Sequence, residues 1–236
     1  MDAKTETLTP AIELASANPA RVPHESAEYR AARTALLAEE IELRRHVERV
    51  AALRRALPPG APVQGAYRFM GEAGERDLAG LFGAHETLLV FNYMFGPERA
   101  RACPMCTDLL DAWNSIGPSL AQNLSLAIVT RSPIERLTAW KAERGWKHLS
   151  LYQDLDWSFT RDYVGLPDDL ADEGAGTNVF TRRNGEIRHF WANEMWVETM
   201  DPGQDPRGAP DPSPLWNVLD MTPAGRRADW YPKLSY

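Results

Sequence analysis

The clearest pattern along the chain is a long run of good helix formers from residue 24 to residue 57, without proline or glycine inside it. Leu36, Leu43, Val50 and Leu57 recur every seven residues, with Val47 between them. That spacing puts one apolar stripe on one face of a helix. Pro58, Pro59 and Gly60 end it. Residues 1–20 are polar, with Pro10 and Pro19, and read as a loose arm. Residues 61–86 are glycine-rich, with Ala66–Phe69 as an entry strand or hairpin. From Leu88 the pattern changes. Leu88–Phe95 reads as a buried strand broken by Gly96-Pro97, and residues 103–115 read as a helix. Leu124–Thr130 is a second apolar strand. Pro133 opens a helix over 133–144 in which Ile134, Leu137 and Trp140 share a face, and Gly145 stops it. His148–Tyr152 is a short third strand. Residues 153–175 read as loop, with Asp168, Asp169, Asp172 and Glu173 on the way. Val179–Arg183 and Glu186–Trp191 flank Asn184-Gly185, the pair that suits a two-residue hairpin because both turn positions need positive φ.

Strand, helix, strand, helix, strand and then a hairpin is the order of the thioredoxin fold. The class predicted is α/β: a central mixed sheet flanked by helices, with a long N-terminal helix and an irregular C-terminal extension. Three segments follow: an arm and helix at 1–60, a thioredoxin-like domain at 61–200, and a C-terminal segment at 201–236. The last begins with five prolines in 201–214 and ends in an aromatic stretch (Trp216, Leu219, Trp230, Tyr231) expected to pack back on the core.

Composition narrows the function classes. The 236 residues carry 44% apolar and 25% charged residues, ordinary for a globular chain, with a net charge of −7. That acidity argues against nucleic acid or an anionic membrane as the partner. No apolar run approaches bilayer length, and the first twenty residues lack the basic and apolar regions of a secretory signal. A cytoplasmic location is expected. The arginines of the long helix alternate with glutamates, which reads as a solvated face with helical ion pairs. Its apolar stripe is expected to dock either on the chain's own domain or on a second subunit, which makes residues 24–57 the candidate homodimer surface.

The chemistry rests on the only two cysteines, Cys103 and Cys106, in the sequence Cys-Pro-Met-Cys. A pair three positions apart closes too small a loop to staple a fold. At the head of a helix, however, both sulfurs come within disulfide reach in one turn. The first lies where unpaired N–H groups and the helix dipole favour a thiolate. Pro104 falls at the first helical position, where no N–H is needed. Arg99 and Arg101 act in the same direction. Cys106, one turn in, is the resolving thiol. Zinc would need four ligands, and neither a second Cys-X-X-Cys nor a paired histidine motif is present. Because parallel strands end on one edge, Tyr93, Met94 and Arg131 are expected beside the motif, with Arg131 as a partner for a thiolate or a peroxide oxygen.

The run Asn92-Tyr93-Met94-Phe95-Gly96-Pro97, followed after five residues by Cys103-Pro104-Met105-Cys106, resembles the thioredoxin-like bacterial family catalogued as domain of unknown function 899. Ser132-Pro133-Ile134-Glu135, Gly145-Trp146, Val179-Phe180 and Leu219-Asp220-Met221-Thr222-Pro223-Ala224-Gly225-Arg226 resemble it too. The likeness spans roughly residues 25–232 and implies a thioredoxin-like fold related to peroxiredoxin-type domains. Thioredoxins carry an acidic residue in the strand leading to the motif, whereas Leu88–Phe95 has none. Where thioredoxins place a cis-proline, this chain has Gly176-Thr177. Peroxiredoxins have Thr or Ser three positions before their reactive cysteine, and here that residue is Ala100.

The expected activity is thiol–disulfide exchange, with Cys103 as nucleophile, Cys106 as resolving thiol, and Tyr93, Met94, Met105 and Thr177 contacting the substrate. The substrate class is a small-molecule or protein disulfide, or a peroxide. A reducing thiol partner would regenerate the pair, and no bound cofactor or metal is required. Two alternatives are a peroxiredoxin-like thiol peroxidase and a non-catalytic binding module on the same scaffold. The eight tryptophans would serve the second alternative, although core packing is their commoner use.

Overall fold

A computed structural model describes residues 8–164, 174–194, 199 and 201–202. The chain divides into two compact units, Met1–Pro58 and Pro59–Tyr236. The acidic stretch from Asp168 to Glu173 and the aromatic C-terminal segment lie outside the described residues, as does the Pro-rich stretch beyond Pro202.

The first unit is a helical hairpin. Helix α1 (Ala11–Ala17) follows Pro10, and helix α2 (Ala27–Arg55) begins at Ser26, whose hydroxyl accepts the Tyr29 N–H. The arm expected over residues 1–20 therefore contains a short helix. Seven residues do not hold a helix alone. Here Ala11 and Ala15, one turn apart, are the buried residues of α1, which packs against α2.

In the second unit, β1 (Arg68–Gly71) and β2 (Gly74–Asp77) form an entry hairpin, and the single turn α3 (Leu78–Leu81) follows. Then come β3 (Thr87–Asn92), α4 (Pro104–Leu120), β4 (Ser125–Thr130), α5 (Ile134–Arg144) and β5 (Leu151–Asp154). Helix α6 (Ser158–Val164) precedes the hairpin β6 (Gly176–Arg183) and β7 (Glu186–Ala192). The sheet order is β2-β1-β5-β4-β3-β6-β7, with β3, β4 and β5 parallel and the other pairings antiparallel. A parallel β3/β4 pair joined by a helix, with an antiparallel hairpin added at β3, is the thioredoxin-like arrangement. The hairpin turns where Asn-Gly predicts: Asn184 and Gly185 have φ of 51° and 83°. Gly145 ends α5 at φ 67°, the left-handed conformation that glycine adopts freely.

Alternation along β3 divides the core. Phe91 and Tyr93 lie on one side of the sheet with both cysteines, Leu110, Trp113 and Trp146. Leu88 and Val90 lie on the other with Phe69, Phe82, Phe159 and Phe180. Trp113 and Trp146 thus serve the core. Helix α4 is fastened at its far end too. Asp111 accepts from Arg144 and from the Trp146 indole at 2.6 Å, and Asn114 accepts the N–H groups of Lys147 and His148 at 2.9 Å each. Gly117 allows this approach, since a Cβ there would meet the His148 Cβ at 2.5 Å. Among the described residues no helix is long and apolar enough to cross a membrane.

On β7, His189 stacks on Tyr163 at 5.4 Å and bonds Asn178 at 2.9 Å. Burial holds its imidazole below the ordinary value, against a smaller opposing pull from Glu194. The unfolded chain takes up a proton near pH 6.5 that the folded one resists. Stability is therefore present above that value and is lost as pH falls through it. Urea midpoints at about pH 7.5 and about pH 5.5 should differ more in the wild type than in His189→Gln. Equal differences would remove His189 from the acid response.

Candidate functional site

Strand β3 carries the chain to Asn92, and a loop through Tyr93–Ala102 returns it to the head of α4. Cys103 is the N-cap of α4 at φ −63° and ψ 123°, and Pro104 takes the first helical position. The loop closes on itself here, because the Cys103 N–H donates to the Met94 carbonyl at 3.1 Å. The Cys103 carbonyl in turn accepts the Thr107 N–H at 3.0 Å and its hydroxyl at 2.8 Å. Both cysteines are reduced thiols within the buried cluster, Cys103 7% and Cys106 6% exposed.

The two sulfurs are not equivalent. The Cys106 thiol is pushed well above its ordinary value, first by its hydrogen bond to Cys103, then by burial and by the charge of Cys103. The Met94 backbone N–H and the Arg99 guanidinium pull it back by less. A proton is therefore kept on Cys106 and shared toward Cys103. The pair can exchange two electrons as dithiol and disulfide, and Cys106 is held as the protonated thiol.

A directed chain of hydrogen bonds braces this turn. The Trp140 indole N–H donates to the Tyr93 hydroxyl at 3.0 Å, and Tyr93 meets the Thr107 hydroxyl at 2.7 Å. Because the Thr107 proton goes to the Cys103 carbonyl, Tyr93 must be the donor to Thr107. Every donor in the series has an acceptor. The Tyr93 phenol is also raised above its ordinary value, chiefly by burial. It holds the helix head and is a poor proton donor.

A second set of contacts fixes the loop. The Phe95 carbonyl accepts the hydroxyls of Thr130, at 2.9 Å, and of Ser132. Arg136 reaches across from α5 and donates to the carbonyls of Gly96 at 3.0 Å, Arg99, and Ala100 at 3.3 Å. Its guanidinium lies 4.1 Å from the centre of the Phe95 ring.

The residues expected at the site are distributed as follows. Tyr93 is buried against the cysteines, Met94 is half-buried beside them, and Met105 is 39% exposed at the head of α4. Thr177 lies opposite Phe91 in the β3/β6 ladder, which places it on the cysteine side of the sheet. Arg131 is turned away: its guanidinium lies 5.0 Å from the Trp157 ring, and Trp157 leads into α6, whose Phe159 belongs to the opposite side. Arg99 is a cation that bears on the Cys106 sulfur. Thr107 is legible in retrospect, since a hydroxyl four residues into a helix reaches back to the carbonyl one turn earlier. Arg136 has no local signal. Among the described residues no group of three or more His, Cys, Asp or Glu is gathered as a metal ion needs.

A sheet of this topology with two cysteines at the head of the helix that joins β3 to β4 defines a thioredoxin-like protein with a close pair of thiols. The chain belongs to the family described as "Bacterial protein of unknown function (DUF899)", whose model matches residues 19–236. No curated protein matches it. Among solved structures it is similar to a cysteine mutant of PrxQ from Xylella fastidiosa, at 14% identity over 58% of this chain and 84% of that one, with a TM-score of 0.46. It is also similar to the bacterioferritin comigratory protein of Xanthomonas campestris, at 16% identity over 56% and 84%, TM-score 0.43. A third is the peroxidoxin BcpB of Mycobacterium tuberculosis, at 15% identity over 53% and 79%, TM-score 0.41.

Proposed function

We propose that the chain is a thiol–disulfide oxidoreductase of the reducing cytoplasm. The Cys103 thiolate attacks one sulfur of a disulfide. A mixed disulfide forms and the other sulfur leaves as a thiolate that takes a proton. Cys106 then loses its proton and attacks the Cys103 sulfur. The second substrate thiolate leaves, and the Cys103–Cys106 disulfide holds the oxidising equivalents. A reduced partner thiol returns the pair to its starting state. Tyr93, Met94, Met105 and Thr177 line the approach. The observation that supports this reading is the placement of the pair: Cys103 caps α4 with Pro104 at its first position, and the Cys106 thiol, hydrogen-bonded to Cys103, is held well above its ordinary value.

The test is to mix reduced protein with excess oxidised glutathione, insulin or hydrogen peroxide and follow the free thiols. Loss of both thiols with a mass decrease of about 2 Da, fastest with a disulfide, supports exchange. Faster oxidation by peroxide through a sulfenate at Cys103 would make the protein a thiol peroxidase instead. Thiols that stay reduced under all three would leave the scaffold as a binding module.

A further inference from the structure

We propose that α2 is a homodimer interface in which two copies of the chain pair antiparallel, centred on Leu43. The inference is independent of the redox reading. Not one of the 29 residues of α2 is buried. From Arg30 to Arg45 its half-buried positions (Arg30, Arg33, Thr34, Leu37, Ala38, Ile41 and Arg45) recur at one-, three- and four-residue steps along one face, and Ala51 and Arg54 are half-buried further on. Helix α1 packs against α2, and Arg45 donates to the Thr9 carbonyl just ahead of it. A different face carries Tyr29, Leu36, Leu43 and Val50, all exposed, with Leu36 at 53% and Leu43 at 63%, and the exposed Leu57 follows just past the helix end. Val47 and Leu53 widen it.

The apolar side chains of this face are exposed on the protomer, as those of a docking surface are. The exposed face needs an occupant, and two features of the sequence identify it as a second copy. The first is spacing. Tyr29, Leu36, Leu43 and Val50 are seven residues apart along α2, and Leu57 continues the spacing just past its end. The set is symmetric about Leu43. In an antiparallel pair centred there, Leu43 meets its own copy, Leu36 meets Val50, and Tyr29 faces Leu57 just past the helix end, while Val47 and Leu53 at the border face Glu39 and Arg33. The second feature is charge. Residues 27–41 carry Glu28, Glu39 and Glu40 against Arg30 and Arg33, a net −1. Residues 42–55 carry five arginines against Glu42 and Glu48, a net +3. Antiparallel pairing sets the acidic half against the basic half and opposes the helix dipoles, whereas parallel pairing sets the basic halves together. A two-fold axis through Leu43 satisfies both features with one patch of surface.

The test uses the full chain and measures solution mass. Wild type is expected at twice 26.5 kDa. Leu43→Glu sets two carboxylates face to face on the axis and should raise the dimer Kd about 30-fold or more. Its helical circular dichroism should be unchanged, because Leu43 is exposed within the protomer. Orientation is read by disulfide cross-linking after Cys103 and Cys106 are both replaced by serine. Leu43→Cys should cross-link to itself. Leu36→Cys should not, because two such sites lie about 21 Å apart in this register. It should link when mixed with Val50→Cys. A monomeric wild type, a Leu43→Glu protein that remains dimeric, or self-linking of Leu36→Cys would each overturn the proposal.

Discussion

Cys106→Ser, mixed with an aromatic disulfide that releases a coloured thiolate, is expected to stop halfway. One equivalent of colour should appear, and the protein should retain the other half of the reagent on Cys103, visible as an added mass that dithiothreitol removes. Wild type should release two equivalents and finish as the internal disulfide. The reason lies in the arrangement at the head of α4. Cys103 caps the helix, and the Cys106 thiol donates its proton toward it. A serine hydroxyl at 106 can still donate to Cys103, so the first attack survives, but it cannot displace a sulfur. Cys103→Ser removes the attacking atom itself and should lower the rate by about 10^3-fold or more, toward background exchange. The remaining Cys106 is buried, and with the Cys103 sulfur gone its burial alone still disfavours a thiolate, so it should not substitute. Two results would defeat the assigned order: Cys106→Ser protein that completes the reaction, or Cys103→Ser protein that forms its adduct as fast as wild type.

The parts of this site that were legible in the sequence are those whose cause is local. The apolar runs at 88–91 and 125–130 have no polar alternative and become β3 and β4. Proline and glycine bracket α5, and Asn184-Gly185 turns the last hairpin. The cysteine pair at a helix head follows from Pro104 and from the strand before it. What was missed is held by tertiary contacts. Helix α6 is seven residues with aromatic and β-branched members, a poor helix on propensity. It exists because Phe159 is fully buried and Asp154 accepts the Thr160 N–H and hydroxyl at 2.8 and 2.7 Å. The third parallel strand runs over 151–154 where the apolar pattern suggests 148–152, because Asn114 holds the backbone of Lys147 and His148 against α4. Arg131 illustrates the same limit. Position on the right sheet edge does not determine the face, and two residues of β4 that point to the other core, Ala127 and Val129, set the parity that carries Arg131 away from the sulfurs.

Arg136→Ala should cost about 2–4 kcal/mol, large against the few kcal/mol that separate folded from unfolded domains. It should also slow disulfide reduction through the loop it holds. The guanidinium supplies donors to three carbonyls of the segment between β3 and α4 and covers the Phe95 ring. Removing it leaves the Gly96, Arg99 and Ala100 carbonyls to find water in a partly buried place, and a charge-assisted hydrogen bond is worth about 1.5–3 kcal/mol. The losses do not add fully, because Thr130 and Ser132 still hold the Phe95 carbonyl. Lysine should recover little, since a point charge cannot span carbonyls three and four residues apart as the planar fork does. The functional consequence follows from continuity. Three residues after Ala100 comes Cys103, whose N–H is tied to Met94 at the start of the same loop. If the clamp sets the position of the helix head, Arg136→Ala should raise the pH at which the Cys103 thiolate absorbs, and Arg136→Lys should fall between the two. A lower melting temperature with an unchanged thiolate titration would reduce Arg136 to a structural residue, and no change in either would show that the loop is held without it.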